Sequence, residues 1–134
     1  AVDGTPFDFR EPHTIGERVN EVHPQLTLGM GYDHNWVLNT KGDASQVAVK
    51  VVDPTSKICL EVYTNEPGVQ LYTGNSLDGT VKGKNGIVYP QRASVCLETQ
   101  HYPDSPNKPH WPSVVLEPGQ TYTSHCIFKF GIVK

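Results

Sequence analysis

The chain lacks any long apolar run, any cluster of Lys and Arg, and any stretch where apolar residues recur with helical period. Its longest apolar runs fall far short of the roughly twenty residues that cross a bilayer, and no charged-then-apolar leader opens it, so a soluble protein without a membrane partner is expected. Acidic residues number 14 against 11 basic ones, which leaves no surface to draw in a polyanion and excludes nucleic acid as a partner. Gly or Pro interrupts nearly every window long enough for a helix. Cysteine is scarce: Cys59, Cys96 and Cys126 cannot all pair within one chain, and each lies among alternating apolar residues where a strand is expected to bury it. A reducing compartment, the cytoplasm, is favoured. An initiator Met is also missing, and Ala1-Val2 runs straight into Gly4-Thr5-Pro6-Phe7-Asp8-Phe9, so the chain is expected to begin mid-protein.

What is present is turn chemistry. Glycine (12) and proline (11) punctuate the sequence at Asp53-Pro54, Glu66-Pro67-Gly68, Asp78-Gly79, Asn85-Gly86, Pro103-Asp104-Ser105-Pro106 and Glu117-Pro118-Gly119. Between these lie period-two runs over residues 46–52, 57–63, 94–99 and 121–130, which read as half-buried strands. Short strands at regular spacing predict an all-β antiparallel sandwich. A chain of 134 residues suits a single domain, 1–134, able to bury roughly two-thirds of its unfolded surface. Residues 5–22 are polar and irregular, as expected of an extended arm or long loop within that domain.

Several constellations carry no chemistry. The histidines at 13, 23, 34, 101, 110 and 125 show no spacing that would converge metal ligands. Residues 79–84 imitate a phosphate loop but are one residue short and flanked by turns, and so predict a glycine-rich hairpin. No G-x-S-x-G elbow supports a serine hydrolase.

Two motifs gather polar groups beside aromatic ones. In Gly29-Met30-Gly31-Tyr32-Asp33-His34-Asn35-Trp36, Asp33 reads either as the cap of a tight turn or as a carboxylate held to accept hydrogen bonds from sugar hydroxyls. In Val95-Cys96-Leu97-Glu98-Thr99-Gln100-His101-Tyr102-Pro103-Asp104, alternation puts Cys96, Glu98 and Gln100 on one strand face. Glu61 beside Cys59 has the same local pattern, and periodicity does not choose between the two glutamates. Burial in a cleft would raise the pKa of either and suit it to take a proton near neutral pH.

Five runs taken in order make the choice: Thr5-Pro6-Phe7-Asp8-Phe9-Arg10; Gly31-Tyr32-Asp33-His34-Asn35; Leu60-Glu61-Val62-Tyr63-Thr64 with Glu66-Pro67-Gly68-Val69-Gln70; Tyr72-Thr73-Gly74-Asn75; and Cys96-Leu97-Glu98-Thr99-Gln100-His101 with Pro103-Asp104-Ser105-Pro106-Asn107. Together they resemble the galactose mutarotases, the aldose 1-epimerases, from Thr5 to Phe130. The resemblance implies the carboxy-terminal part of a large β-supersandwich that interconverts the α and β anomers of hexoses such as galactose and glucose. It implies Glu98 as the catalytic base, Asp33 and Gln70 as sugar-binding residues, no role in catalysis for Glu61, and no metal or cofactor. Family members are well over twice as long. Their general-acid histidine, a second active-site histidine and a substrate-binding arginine precede the part matched here, so the remaining amino-terminal part is an expected partner. His23-Pro24 is not followed by the acid motif's aromatic residue and asparagine and is assigned no role. Leu71 and residues 92–95 also depart from the commonest family residues. Two alternatives stay open: a carbohydrate-binding module that keeps Asp33, Gln70 and Glu98, and an inactive fragment without the general acid.

Overall fold

The computed structural model describes all of residues 1–134. Helix is confined to one turn, α1 (Ile15–Arg18), and to α2 (Pro24–Gly29), with short 3-10 turns at Lys84–Gly86 and Ser105–Asn107. The rest is built on six strands: β1 (Asp33–Val37), β2 (Val49–Val52), β3 (Ile58–Thr64), β4 (Gly68–Tyr72), β5 (Cys96–Gln100) and β6 (Cys126–Ile132). They form two three-stranded sheets, ordered β1-β4-β5 and β2-β3-β6. The fold class is all-β, as the turn spacing predicts.

The chain divides into two compact units, Ala1–His34 with Leu71–Leu97, and Asn35–Gln70 with Glu98–Lys134. In the first unit the buried apolar residues are Val19, Leu26, Tyr32 and Leu71. Tyr32 is fully buried and still satisfies its hydroxyl, which donates to the Pro6 carbonyl at 2.7 Å, while Phe7 and Phe9 meet its ring edge-on. The glycine-rich segment is a hairpin: Gly79 and Tyr89 N–H groups donate to Tyr89 and Val81 carbonyls, and Lys82 bridges Val88. Asn85 (φ 58°) and Gly86 (φ 74°) close it in the left-handed conformations that a tight two-residue hairpin turn requires.

In the second unit β3 pairs antiparallel with both neighbours, Val51 opposite Leu60 on one side and Leu60 opposite Phe130 on the other. Asp53 shapes the β2–β3 turn by accepting from the Thr55 and Ser56 N–H groups and the Ser56 hydroxyl. Two strands begin later than their apolar alternation suggests, and side-chain capture explains both. Asp43 accepts from Ser45 and from the Gln46 carboxamide, holding that segment in a turn, so β2 starts at Val49. Asn65 accepts from the His125 N–H, which removes that donor from any ladder, so β6 starts at Cys126.

The cysteine expectation needs correction. Only Cys59 is buried; Cys96 is half-buried and Cys126 exposed, because β6 is an edge strand whose residues are exposed throughout. The three thiols are unpaired. No helix is long and apolar enough to cross a membrane.

Candidate active site

Asp33 is delivered by the end of α2. Pro24 opens that helix with its φ already suited to it, and the His23 imidazole accepts from the Gln25 N–H at 3.2 Å. The helix stops where Met30 turns left-handed (φ 54°), with the Gly31 N–H returning to the Leu26 carbonyl at 2.9 Å. Gly31 (φ 135°) has no room for a Cβ, which would collide with the Asn75 carboxamide and the Arg92 guanidinium. Buried Asn75 then pins the turn: its Nδ2 donates to the carbonyls of Gly29 (2.8 Å) and Tyr32 (2.9 Å), and its Oδ1 accepts from the Thr73 hydroxyl at 2.6 Å. The run Tyr72-Thr73-Gly74-Asn75 is thus the buttress that holds the Asp33 turn.

Asp33 itself is exposed, and its N–H donates to His34 Nδ1 at 3.0 Å. Burial lowers the His34 pKa, against the opposing pull of the Asp33 charge, which keeps Nδ1 an acceptor near neutral pH. Phe7 packs edge-on against the same ring at 4.8 Å.

Gln70 sits on β4, two residues after Gly68. A Cβ at Gly68 would lie 2.6 Å from Asn35 Oδ1 and 2.9 Å from the Tyr102 ring, so only glycine lets these side chains close over the start of β4. Tyr102 packs edge-on against Trp111 at 5.5 Å, and this pair supplies the aromatic surface beside Asn35. Alternation along β1 puts Trp36 on the strand face opposite Asn35. Gln100 Nε2 donates to both Gln70 Oε1 and Asn35 Oδ1, each at 3.1 Å. That fixes which way the Gln70 carboxamide is turned.

Glu98 lies two residues before Gln100 on β5, on the same strand face, and is exposed. The burial in a cleft considered from the sequence is not met at Glu98. The rival, Glu61, is engaged elsewhere: it accepts from the Tyr63 hydroxyl at 3.0 Å and faces Lys129 at 3.4 Å and Lys50 at 3.6 Å. The Tyr63 hydrogen bond first, then the lysines, hold its carboxyl below the ordinary carboxylate range. A carboxylate so stabilised is a weak base. Of the residues expected at the site, Gln70 and Glu98 belong to the second unit, on strands adjacent in one sheet, and Asp33 to the first.

Sequence reasoning passed over Glu66. It reads as turn chemistry before Pro67, yet it is 2% exposed, accepting from His101 Nδ1 at 2.7 Å and from the Tyr122 hydroxyl. Burial, the largest influence, pushes its carboxyl up, but the donors Tyr122, Ser124 and His101 together bring it below the ordinary value. Glu66 is therefore a buried carboxylate, and a carboxylate only accepts, so His101 carries its proton on Nδ1. No local signal in Asn65-Glu66-Pro67 marks this, because both partners lie far along the chain.

Strands β1, β4 and β5 thus bring the half-buried carboxamides of Asn35, Gln70 and Gln100 together in one sheet, with exposed Glu98 two residues before Gln100. The chain belongs to the aldose 1-epimerase family, whose model matches residues 1–129. It is 46% identical over 132 residues to galactose mutarotase of Homo sapiens, covering 98% of this chain and 36% of that protein. It is 38% identical over 132 residues to aldose 1-epimerase of Escherichia coli K12, covering 97% and 38% respectively. A solved GalM/aldose epimerase homologue from C. elegans superposes with a TM-score of 0.84 at 28% identity, covering 100% of this chain and 39% of the other. The chain therefore spans a little over a third of the length of these relatives.

Proposed function

We propose that the chain is the carboxy-terminal part of a cytoplasmic aldose 1-epimerase, that activity belongs to the whole protein, and that Glu98 is its base. Glu98 takes the proton from the anomeric hydroxyl as the C1–O1 bond becomes a carbonyl and the bond from C1 to the ring oxygen breaks. A general acid outside this chain protonates that oxygen. Rotation about C1–C2 and the reverse proton transfers close the other anomer, so no proton or electron is gained or lost. Concerted transfer matters because an anomeric hydroxyl is a weak acid and the ring oxygen a poor leaving group. Asp33 accepts from sugar hydroxyls, and Gln70 fixes orientation through its carboxamide.

One observation carries the choice of base: Glu98 is exposed on the face that bears the Gln100–Gln70 hydrogen bond, whereas Glu61 is held by Tyr63, Lys129 and Lys50. The remaining part of the protein is the natural cover for β6, an edge strand with Phe130 and Ile132 about 70% exposed. Unpaired thiols suit a reducing compartment.

Polarimetry of α-D-galactose and α-D-glucose mutarotation tests this reading. The whole protein accelerates the approach to equilibrium and residues 1–134 alone do not. Acceleration by the isolated chain would contradict the need for an acid supplied from elsewhere. Saturation-transfer NMR with galactose separates a binding module, which shows transfer, from an inert remnant.

A further inference from the structure

The pair Glu66–His101 lies outside the chemistry assigned above and stands at a junction. Glu66 belongs to the turn that leads from β3 into β4, and its N–H donates to the hydroxyl of fully buried Thr64 at 3.0 Å. The next residue, Pro67, accepts from the Leu38 N–H at 3.0 Å. Gln70 follows after one strand repeat. His101 is the residue after β5, next to Gln100 and three beyond Glu98. A third segment joins at the same point: the Tyr122 hydroxyl reaches Glu66, the Tyr122 ring meets His101 edge-on at 6.2 Å, and Asn65 both donates to the Thr123 carbonyl at 3.2 Å and accepts from the His125 N–H at 2.7 Å.

A carboxylate–imidazole pair whose carboxylate is buried and whose imidazole is half-buried is weak evidence for net stability, since desolvation cancels much of the attraction; what it does fix is geometry, because the buried carboxylate left without its donor is penalised. Here the fixed geometry is the offset between the start of β4 and the end of β5. That offset decides whether Gln100 Nε2 reaches Gln70 Oε1, and hence where Gln70 and Glu98 stand relative to a bound sugar.

We propose that His101 and Glu66 are positioning residues for the epimerase reaction: the Nδ1–H to carboxylate bond, seconded by Tyr122, holds the β5 end against the β3–β4 turn so that Glu98 and Gln70 are presented together. The proposal rests on the assignment of Glu98 and Gln70 to the reaction.

Mutarotation kinetics of the full-length protein, wild type and four variants, test it. His101→Ala lowers kcat about tenfold to a hundredfold, the scale of a misplacement of about 1 Å, and raises KM as well, since both the base and the binding carboxamide shift. His101→Asn, whose Nδ2 stands close to where imidazole Nδ1 stands, restores kcat and KM to within about threefold of wild type. His101→Gln, with its amide one methylene further out, behaves like the alanine variant. Should His101→Ala fail to fold, Tyr122→Phe, which deletes one donor to Glu66 and keeps the pair, still gives a smaller change of kcat and KM in the same directions. Wild-type kinetics in His101→Gln or Tyr122→Phe, or an Asn variant as impaired as the Gln variant, would overturn the positioning role. A wild-type protein without mutarotase activity would overturn the proposed function itself, and this role with it.

Discussion

Gln100 on β5 donates from one nitrogen to Gln70 on β4 and to Asn35 on β1, each at 3.1 Å, so a single carboxamide ties together side chains from all three strands of that sheet. Gln70, the glutamine proposed to contact sugar, is therefore oriented by a residue that itself need not touch sugar.

Replacing Gln100 by Leu removes both bonds and leaves two part-buried carbonyl oxygens without that donor. The loss is about 1–2 kcal/mol of sugar binding, read as a rise in KM of roughly tenfold with a smaller change in kcat. Steady-state polarimetry of the whole protein checks it; an unchanged KM would detach Gln100 from the orientation of Gln70.

Glu61→Gln is expected to leave mutarotation within about twofold of wild type, because its carboxylate serves an ion-pair network and not the sugar. Its folded-state pKa is lowered, so whatever stability it contributes is full above the ordinary carboxylate range and is lost as pH falls through the lowered value. The Tm difference between wild type and Glu61→Gln should accordingly be present at neutral pH and close on acidification. A difference that widened in acid would reverse the sign of this linkage.

How much of this was legible beforehand divides along the range of the interactions. Turn residues and period-two runs located strands β2, β3, β5 and β6, because both signals are local. The starts of β2 and β6 were misjudged because Asp43 and Asn65 capture neighbouring groups that alternation alone assigns to a ladder. Exposure of Cys126 followed from its edge position, which the apolar alternation of residues 121–130 does not encode. Strand β4 was not marked by periodicity: Gly68 opens it and both Gly68 and Val69 are buried, so the alternation is broken. The choice of Glu98 over Glu61 came from resemblance, and the structure adds a physical reason in the partners of Glu61. Glu66 stayed hidden because His101 and Tyr122 are 35 and 56 residues away.

Asn75→Ala strips the Asp33 turn of its buttress. A buried bond to the Tyr32 carbonyl, a part-buried one to the Gly29 carbonyl and the Thr73 hydroxyl contact disappear together, which costs about 2–3 kcal/mol. Chemical denaturation of the whole protein measures this, and a midpoint equal to wild type would show that the turn holds without Asn75.

Gly68→Ala inserts a methyl where Asn35 and Tyr102 leave no space. Overpacking of this kind costs about 1–3 kcal/mol, and displacement of Asn35 weakens the anchoring of Gln100, so lower stability and a raised KM are expected together. Loss of stability with an unaltered KM would mean that the clash relaxes away from Asn35.

The most direct measurement is polarimetry of the full-length protein carrying Glu98→Gln. The substitution keeps the size of the side chain and removes its ability to take a proton. A fall in kcat of about a hundredfold to ten-thousandfold, with galactose still bound, is the predicted result. A fully active Glu98→Gln protein would contradict the assignment of Glu98 as the base.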